Sequence, residues 1–323
     1  MIMNTLVAMT LGLVLNMILG RPAIFAIVES LIVNTAKRMK KALEARYQDT
    51  AEAHRMAGGV LVFFMLLTFA VIPLVLVILA YLLLPVVGIL LEALLFWFSI
   101  NIKNTRTDAY SIMRSVKAGN LEVSQKRLSR MTGYDCSDMD MEQIMKTTIE
   151  KVSDRCVNGG FSPVFYMTLF GGFGAMFYKT LCLLNGEVVR NKEDYVDFGK
   201  GVKKLWNCLG YIPSQIGAWI IKLDIKILSL DSANAKRVYN RDHTHANPKF
   251  LGKARAVIAG ALGVQLNVEE FYDGTIMRRR TIGLAVKEIE PNDIYWANQL
   301  FYGSVFFYYL LFAVIRLILF FIF

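Results

Sequence analysis

The longest apolar stretch of this chain runs from Val60 to Ile100 and contains a single charged side chain, Glu92. A helix of that length would measure roughly 60 Å, twice the thickness of the hydrocarbon core of a bilayer. Pro85 and Gly88 interrupt the stretch near its middle, and both residue types favour a turn. The pattern predicts a hairpin of two membrane-spanning helices at about residues 60–102.

Two further apolar runs lie toward the ends of the chain. Residues 2–20 carry no charge, and residues 300–323 carry only Arg316. We interpret the first run as an uncleaved membrane anchor. A cleaved signal peptide is the alternative, although the basic leader and the clear cleavage site of such peptides are missing. The last run predicts a C-terminal transmembrane helix.

The middle of the chain differs, because charged residues are frequent there and apolar runs are short. We therefore expect an all-α, multi-pass helical membrane protein. Its regions would be an N-terminal membrane region at 1–102, a mainly cytoplasmic helical region at 103–299 and the C-terminal helix at 300–323. Residues 161–184 are apolar, but Pro163 and several glycines interrupt them. A buried or re-entrant helix pair is the preferred interpretation, and two plain spans are the alternative.

The chain is basic, with a formal net charge of +10 at pH 7. Several lysines and arginines between Lys37 and Arg46 follow the first apolar run, which is the positive-inside pattern. We therefore predict a multi-pass protein of the cell membrane, inner or plasma, with its active face on the cytoplasmic side. The lipid bilayer is an expected partner, and nucleic acid is not.

Histidines and cysteines give weak signals. The four cysteines form no C-x-x-C pair and lie far apart, which disfavours a zinc, redox or disulfide site. His243 and His245 lack a third ligand nearby, so they are poor evidence for a metal site. No Ser-His-Asp or Cys-His arrangement can be argued from the sequence.

Glu150 and Asp154 are stronger candidates for chemistry. On a helix, two residues four positions apart lie on one face, one turn from each other. Asn158 follows near the end of the same predicted helix. Grouped carboxylates can hold Mg²⁺ together with substrate phosphates. The alternative is a solvated face on which Lys146 and Lys151 form ion pairs.

Lys179 ends an apolar, glycine-containing run at 171–179. The run is not a P-loop, because glycine does not directly precede the lysine. Such a cation either extends to the membrane interface or meets an anion in a cavity. In the polar stretch that follows, Arg190, Asn191 and Glu193 could contact an anionic substrate or belong to a plain surface loop.

Several segments together resemble the CobD/CbiB family, the adenosylcobinamide-phosphate synthases of cobalamin biosynthesis. The resemblance begins with VKAGNLE and LSRMTGYD and ends with AGALGV. The matching segments, in chain order, are 116–135, 150–166, 171–195, 207–214 and 259–264. Their shared order, on a multi-span layout, makes the resemblance specific.

The resemblance implies an amide ligase that uses ATP and Mg²⁺. It would join adenosylcobyric acid, a corrinoid, to aminopropanol phosphate and give adenosylcobinamide phosphate. Other membrane enzymes of cobalamin assembly are further candidate partners. The implied catalytic residues are Glu150, Asp154, Lys179 and Glu193. The implied substrate- or phosphate-binding residues are Asn158, Asn185, Arg190 and Asn191. Glu150 and Asp154 are the implied Mg²⁺ ligands.

The chain also departs from the family pattern. Asn158 and Asn185 stand where the family has aspartates, Cys182 replaces an asparagine, and Arg255 falls at a glutamate. Each lost carboxylate weakens a Mg²⁺ site. The preferred hypothesis is a divergent ligase. The alternative is a catalytically degenerate paralogue that binds a corrinoid or a partner protein. A transporter has little support, because paired inverted halves are missing.

Overall fold

The computed structural model describes residues 2–47, 50–188, 198–266, 269–272, 275–278 and 280–322. Most of these residues are helical, which confirms the predicted all-α fold class. The helices are α1 (Ile2–Leu19), α2 (Ala23–Glu44), α3 (Ala51–Leu66), α4 (Ile72–Leu83), α5 (Pro85–Ser99), α6 (Lys103–Lys117), α7 (Leu121–Thr132), α8 (Met141–Cys156), α9 (Ser162–Val188), α10 (Lys200–Ile227), α11 (Ser232–Asp242), α12 (Lys249–Leu262) and α13 (Pro291–Ile322). Short π-helical turns, Leu67–Val71 and Val157–Phe161, follow α3 and α8.

The strands of the described chain are short and antiparallel. Strand β1 (Gln265–Leu266) pairs with β4 (Ile282–Gly283), so that Gln265 lies opposite Gly283. Strand β2 (Glu269–Tyr272) pairs with β3 (Thr275–Arg278). These strands add only a minor element to a helical protein.

Among the described residues, four helical runs are long and apolar enough to cross a membrane. They are Glu52–Leu83, Pro85–Lys117, Met141–Gly186 and Pro291–Ile322. Helices α1 and α2 together form a further candidate that is bent by 111°. These lengths and compositions confirm the multi-pass helical class. The sidedness of each segment stays a prediction.

The long apolar stretch is divided at Leu84, whose backbone is extended (φ −151°, ψ 123°). Pro85 then begins α5. Proline is well tolerated at the first position of a helix, because the amide that it lacks has no partner within the helix there. One residue therefore separates two helices that are each apolar enough for a membrane.

The described chain divides into two compact units. The first unit contains Met1–Asn101, Ser162–Leu209 and Leu311–Phe323, and within it α5 packs on α1, α4 and α9. The second unit contains Ile102–Phe161 and Gly210–Leu310, and within it α12 packs on α8 and α11. Each unit holds one of the clusters of charged side chains described below.

In the first unit, helix α9 is broken at Gly171, where φ is +64°. An unbroken helix would join the amide of Gly172 to the carbonyl of Thr168. Instead, the Gly172 amide donates to Glu92 Oε1 at 3.0 Å, and the Thr168 carbonyl accepts from Arg316 Nε at 2.9 Å. Unpaired backbone groups are costly in an apolar medium. Glu92 and Arg316, each the single charged residue of a long apolar run, therefore supply the hydrogen bonds that the Gly172 amide and the Thr168 carbonyl lose at the break.

In the second unit, helix α12 is buried at every position from Phe250 to Leu262. Its small residues allow a close approach to α11, since a Cβ at Gly260 would lie 2.7 Å from the Cα of Ala235. Asn234 Nδ2 also donates to the Gly260 carbonyl at 2.7 Å. A charged side chain between Phe250 and Leu262, such as Arg255, must therefore find its partners inside the protein.

Candidate functional site

Helix α8 positions the predicted acidic pair. A capping box fixes its start, because the Asp140 side chain accepts from the Gln143 amide at 2.8 Å and the Gln143 side chain accepts from the Asp140 amide at 3.0 Å. Glu150 and Asp154 follow on one face of the helix. Their side chains are only 9% and 13% exposed, which is not the exposure of a solvated face.

Arg255 of α12 lies between these two carboxylates, with a side chain that is 3% exposed. Its Nε and Nη2 donate to the two carboxylate oxygens of Asp154 at 2.6 and 2.7 Å. Its Nη1 donates to Glu150 Oε1. A planar guanidinium that binds a carboxylate through two parallel hydrogen bonds fixes the orientation of both groups. We call Arg255, Glu150 and Asp154 the Arg255 cluster.

The cluster explains how two largely buried carboxylates can lie one turn apart. Like charges at that spacing repel, and a buried charge without a partner is costly. Arg255 supplies the compensating positive charge and the hydrogen bonds. Taking away one partner of such a buried ion pair typically costs about 3–5 kcal/mol, because the remaining charge stays buried.

The Arg255 cluster does not fit a resident Mg²⁺. Both oxygens of Asp154 and one oxygen of Glu150 already accept from Arg255. A guanidinium in this place also repels a divalent cation. In the part of the chain that the structure describes, no group of three or more His, Cys, Asp or Glu side chains could hold a metal ion. Glu150 and Asp154 therefore do not offer Mg²⁺ a free carboxylate pair.

Lys179 belongs to the first unit, where it meets an anion of the protein itself. Its Nζ lies 2.5 Å from Glu29 Oε1, and its side chain is 10% exposed. Arg21 Nη2 lies 2.6 Å from the same oxygen of Glu29. Lys179 Nζ also lies 5.7 Å from the ring centroid of Phe98. We call Glu29, Arg21 and Lys179 the Glu29 cluster, in which one carboxylate is shared by two cations.

Lys253 is a second buried cation on α12, with 3% of the residue exposed. Its Nζ lies 3.3 Å from the centroid of the Tyr211 ring and donates to the Tyr211 carbonyl at 3.3 Å. Among the described residues no carboxylate pairs with it, and burial lowers the pKa of its ammonium group to about 8. This lysine therefore holds its proton less firmly than a lysine in water.

Of the other predicted site residues, the structure describes Asn158 and Asn185. Asn158 lies in the π-helical turn that follows α8. Asn185 lies near the end of α9, and its Oδ1 is buried without a hydrogen-bond partner among the described residues. Arg190, Asn191 and Glu193 lie outside the described residues.

Sequence reasoning missed Arg255, Glu29 and Lys253 as site residues. In the sequence Arg255 stands out only as a departure from the motif of the family that the chain resembles, and nothing in the local sequence shows its partners on α8. One signal was available, because Lys253 and Arg255 lie in a helix that, after Lys249 at its start, is otherwise made of small and apolar residues. Charges in such a helix indicate buried contacts.

The fold and the two clusters define a class: a multi-pass helical membrane protein with buried ionic clusters in its helical core. Within that class, the chain belongs to the CobD/CbiB family, because the model of the family described as CobD/Cbib protein matches residues 9–301. The match includes every residue of the Arg255 cluster and of the Glu29 cluster.

Individual relatives agree with this assignment. The chain is similar to the cobalamin biosynthesis protein CobD of Clostridium perfringens, with 29% identity over 67% of this chain and 69% of the relative. It is also similar to the protein of that name from Streptococcus sanguinis, with 30% identity over 73% and 74% of the two chains. The protein of that name from Klebsiella pneumoniae is 28% identical over 65% of this chain and 66% of the relative. No solved structure matches the chain.

Proposed function

We propose that this protein acts in cobalamin biosynthesis as a membrane-bound, ATP-dependent acid–amine ligase. Its substrates would be adenosylcobyric acid and aminopropanol phosphate, and its product adenosylcobinamide phosphate. The observation that carries the proposal is the family match over residues 9–301, together with relatives that are named for cobalamin biosynthesis. We place the reaction at the cytoplasmic face of the cell membrane, because basic residues follow the first apolar run.

The reaction needs an activated carboxylate. In the proposed first step, a carboxylate oxygen attacks the γ-phosphorus of ATP, the bond to ADP breaks, and an acyl phosphate forms. In the second step, the amine nitrogen attacks the carbonyl carbon. Phosphate leaves with the electron pair of the C–O bond, and the nitrogen loses a proton. Fixed positive charge around the transferred phosphoryl group would favour both steps.

We assign the cationic part of this chemistry to Lys179 in the Glu29 cluster. Its ammonium group is buried beside a carboxylate, so the site can exchange that contact for a substrate anion. Glu150 and Asp154 would act through Arg255, whose guanidinium they orient. Mg²⁺ enters the proposal only with the phosphates of ATP, and no step is assigned to it.

The residues outside the described chain complete the proposed site. Arg190, Asn191 and Glu193 would contact the phosphate or the corrinoid side chain. Asn158, in the second unit, and Asn185, in the first, would each donate or accept hydrogen bonds to substrate, since an amide carries both a donor and an acceptor. Corrinoid, lipid and other membrane enzymes of cobalamin assembly are the proposed partners.

Arg255 favours a second candidate function, a catalytically degenerate paralogue that binds a corrinoid or a partner protein. A buried, fully paired ionic cluster stabilises a fold, but a paired carboxylate is not free to bind metal or to accept a proton. The loss of acidic side chains at Asn158 and Asn185 points in the same direction.

One assay separates the two candidates. The purified full chain in detergent receives adenosylcobyric acid, aminopropanol phosphate and Mg-ATP, and mass spectrometry measures the amide product. Glu122→Gln, an exposed acid outside both clusters, serves as the control variant. The ligase proposal expects a product in wild type and control, and a loss of at least about tenfold in Lys179→Gln. Corrinoid binding without any product would instead support the paralogue.

A further inference from the structure

We propose that Arg255 takes the place of a divalent cation between Glu150 and Asp154, so that the Arg255 cluster is a metal-free version of an acidic site. The inference rests on the proposed function only in treating Glu150 and Asp154 as part of the functional site. Its test is metal binding rather than turnover, so the two proposals fail separately.

The first argument is geometric. Glu150 is buried and Asp154, one turn further along α8, has a side chain that is only 13% exposed, and such a pair requires a cation beside it. Arg255 fills that position with three donor nitrogens, two on Asp154 and one on Glu150. The guanidinium is planar and permanently charged, so it satisfies the carboxylates at any physiological pH without an ion from solution.

The second argument is one of charge. A glutamate in place of Arg255 would make a group of three carboxylates with Glu150 and Asp154, and such a group could be buried only with a bound cation. Arginine differs from that glutamate by two units of charge, the charge of one divalent ion. Arg255 thus removes the need for a metal and supplies positive charge itself.

The third argument concerns mobility. Arg255 lies in the interior of α12, where every residue from Phe250 to Leu262 is buried. The side chain therefore has little room to leave the carboxylates and admit an ion. Among the described residues no group of three or more His, Cys, Asp or Glu side chains could hold a metal ion, so that part of the chain offers a metal no alternative group of this kind.

Manganese binding tests the inference. The purified full chain in detergent is stripped with EDTA and titrated with Mn²⁺, and electron paramagnetic resonance measures the free ion. The variants are Asp154→Asn, Arg255→Glu, the double variant Arg255→Glu with Asp154→Asn, and the surface control Glu122→Gln. Size-exclusion chromatography shows which of them are folded.

We expect wild type, Asp154→Asn and Glu122→Gln to bind the same number of ions. Arg255→Glu should bind one additional Mn²⁺ per chain, and the double variant should lose it. An ion that wild type binds and Asp154→Asn loses would overturn the inference, as would a folded Arg255→Glu with no additional ion. If Arg255→Glu does not fold, wild type and Asp154→Asn decide alone.

Discussion

Replacing Arg255 by methionine tests the buried cluster most sharply. Methionine keeps the apolar volume of the side chain but removes the guanidinium, which leaves the buried Glu150 and the largely buried Asp154 beside each other without a cation. The expected loss is about 3–5 kcal/mol. In a unit of this size, each kcal/mol lowers the melting temperature by roughly 2–4 °C, so we expect a drop of roughly 6–20 °C.

Adding Glu150→Gln and Asp154→Asn to Arg255→Met removes the uncompensated charges. The triple variant should therefore recover most of the lost melting temperature, because neutral buried groups are far less costly than ions. This recovery distinguishes a charge effect from a packing defect, since a cavity left by Arg255 would persist in the triple variant.

The cysteines provide the assay. Cys136 and Cys156 are buried in the second unit, which also holds the cluster, and Cys208 is exposed. A thiol-reactive fluorogenic dye therefore labels the buried pair only as that unit unfolds on heating. Lys126→Met, which breaks an exposed ion pair with Glu122, is the control and should leave the transition unchanged. An unchanged melting temperature in Arg255→Met, or no recovery in the triple variant, refutes the reasoning.

Three further predictions concern other parts of the molecule. Gly171→Ala should lower the stability of the folded protein by about 1–3 kcal/mol, because φ is +64° and the new Cβ would lie 2.4 Å from Glu92 Oε1. The yield of monodisperse protein in detergent measures this loss. Gly59→Ala is the control, because the space around Gly59 is open. Burial raises the pKa of Asp224 to about 6, so its contribution to stability is present below about pH 4 and is lost as the pH rises through 6. Asp224→Asn should flatten the melting temperature between about pH 4 and 7, and an unchanged slope would count against this assignment. Lys179→Gln should weaken corrinoid binding in equilibrium dialysis roughly 10- to 100-fold, whereas the exposed Lys37→Gln should not; equal affinities would exclude Lys179 from the binding site.

The helical fold was predictable because apolar length and helical spacing are local properties of the sequence. The stretch from Val60 to Ile100 needs only its own composition to predict two helices, and Pro85 marks the break between them within one residue. The bend between α1 and α2 also has a local cause, since Gly20 adopts a positive φ and Pro22 precedes α2.

The clusters were predictable only in part, because their members are distant in the sequence. Spacing places Glu150 and Asp154 on one face of a helix, but their partner lies about a hundred residues further along the chain, on α12. Likewise, Lys179 was expected to meet an anion or the interface, and Glu29 on α2 could not be named as that anion. Tertiary packing, rather than any local pattern, brings these charges together.

An isotope experiment tests the central proposal most directly. Adenosylcobyric acid labelled with ¹⁸O in both oxygens of the reacting carboxylate is incubated with the full chain, aminopropanol phosphate and Mg-ATP. If the chain forms an acyl phosphate and then the amide, one ¹⁸O stays in adenosylcobinamide phosphate and the other appears in inorganic phosphate. Absence of the amide would contradict ligation by this protein, and an amide formed while the phosphate remains unlabelled would contradict the proposed acyl phosphate.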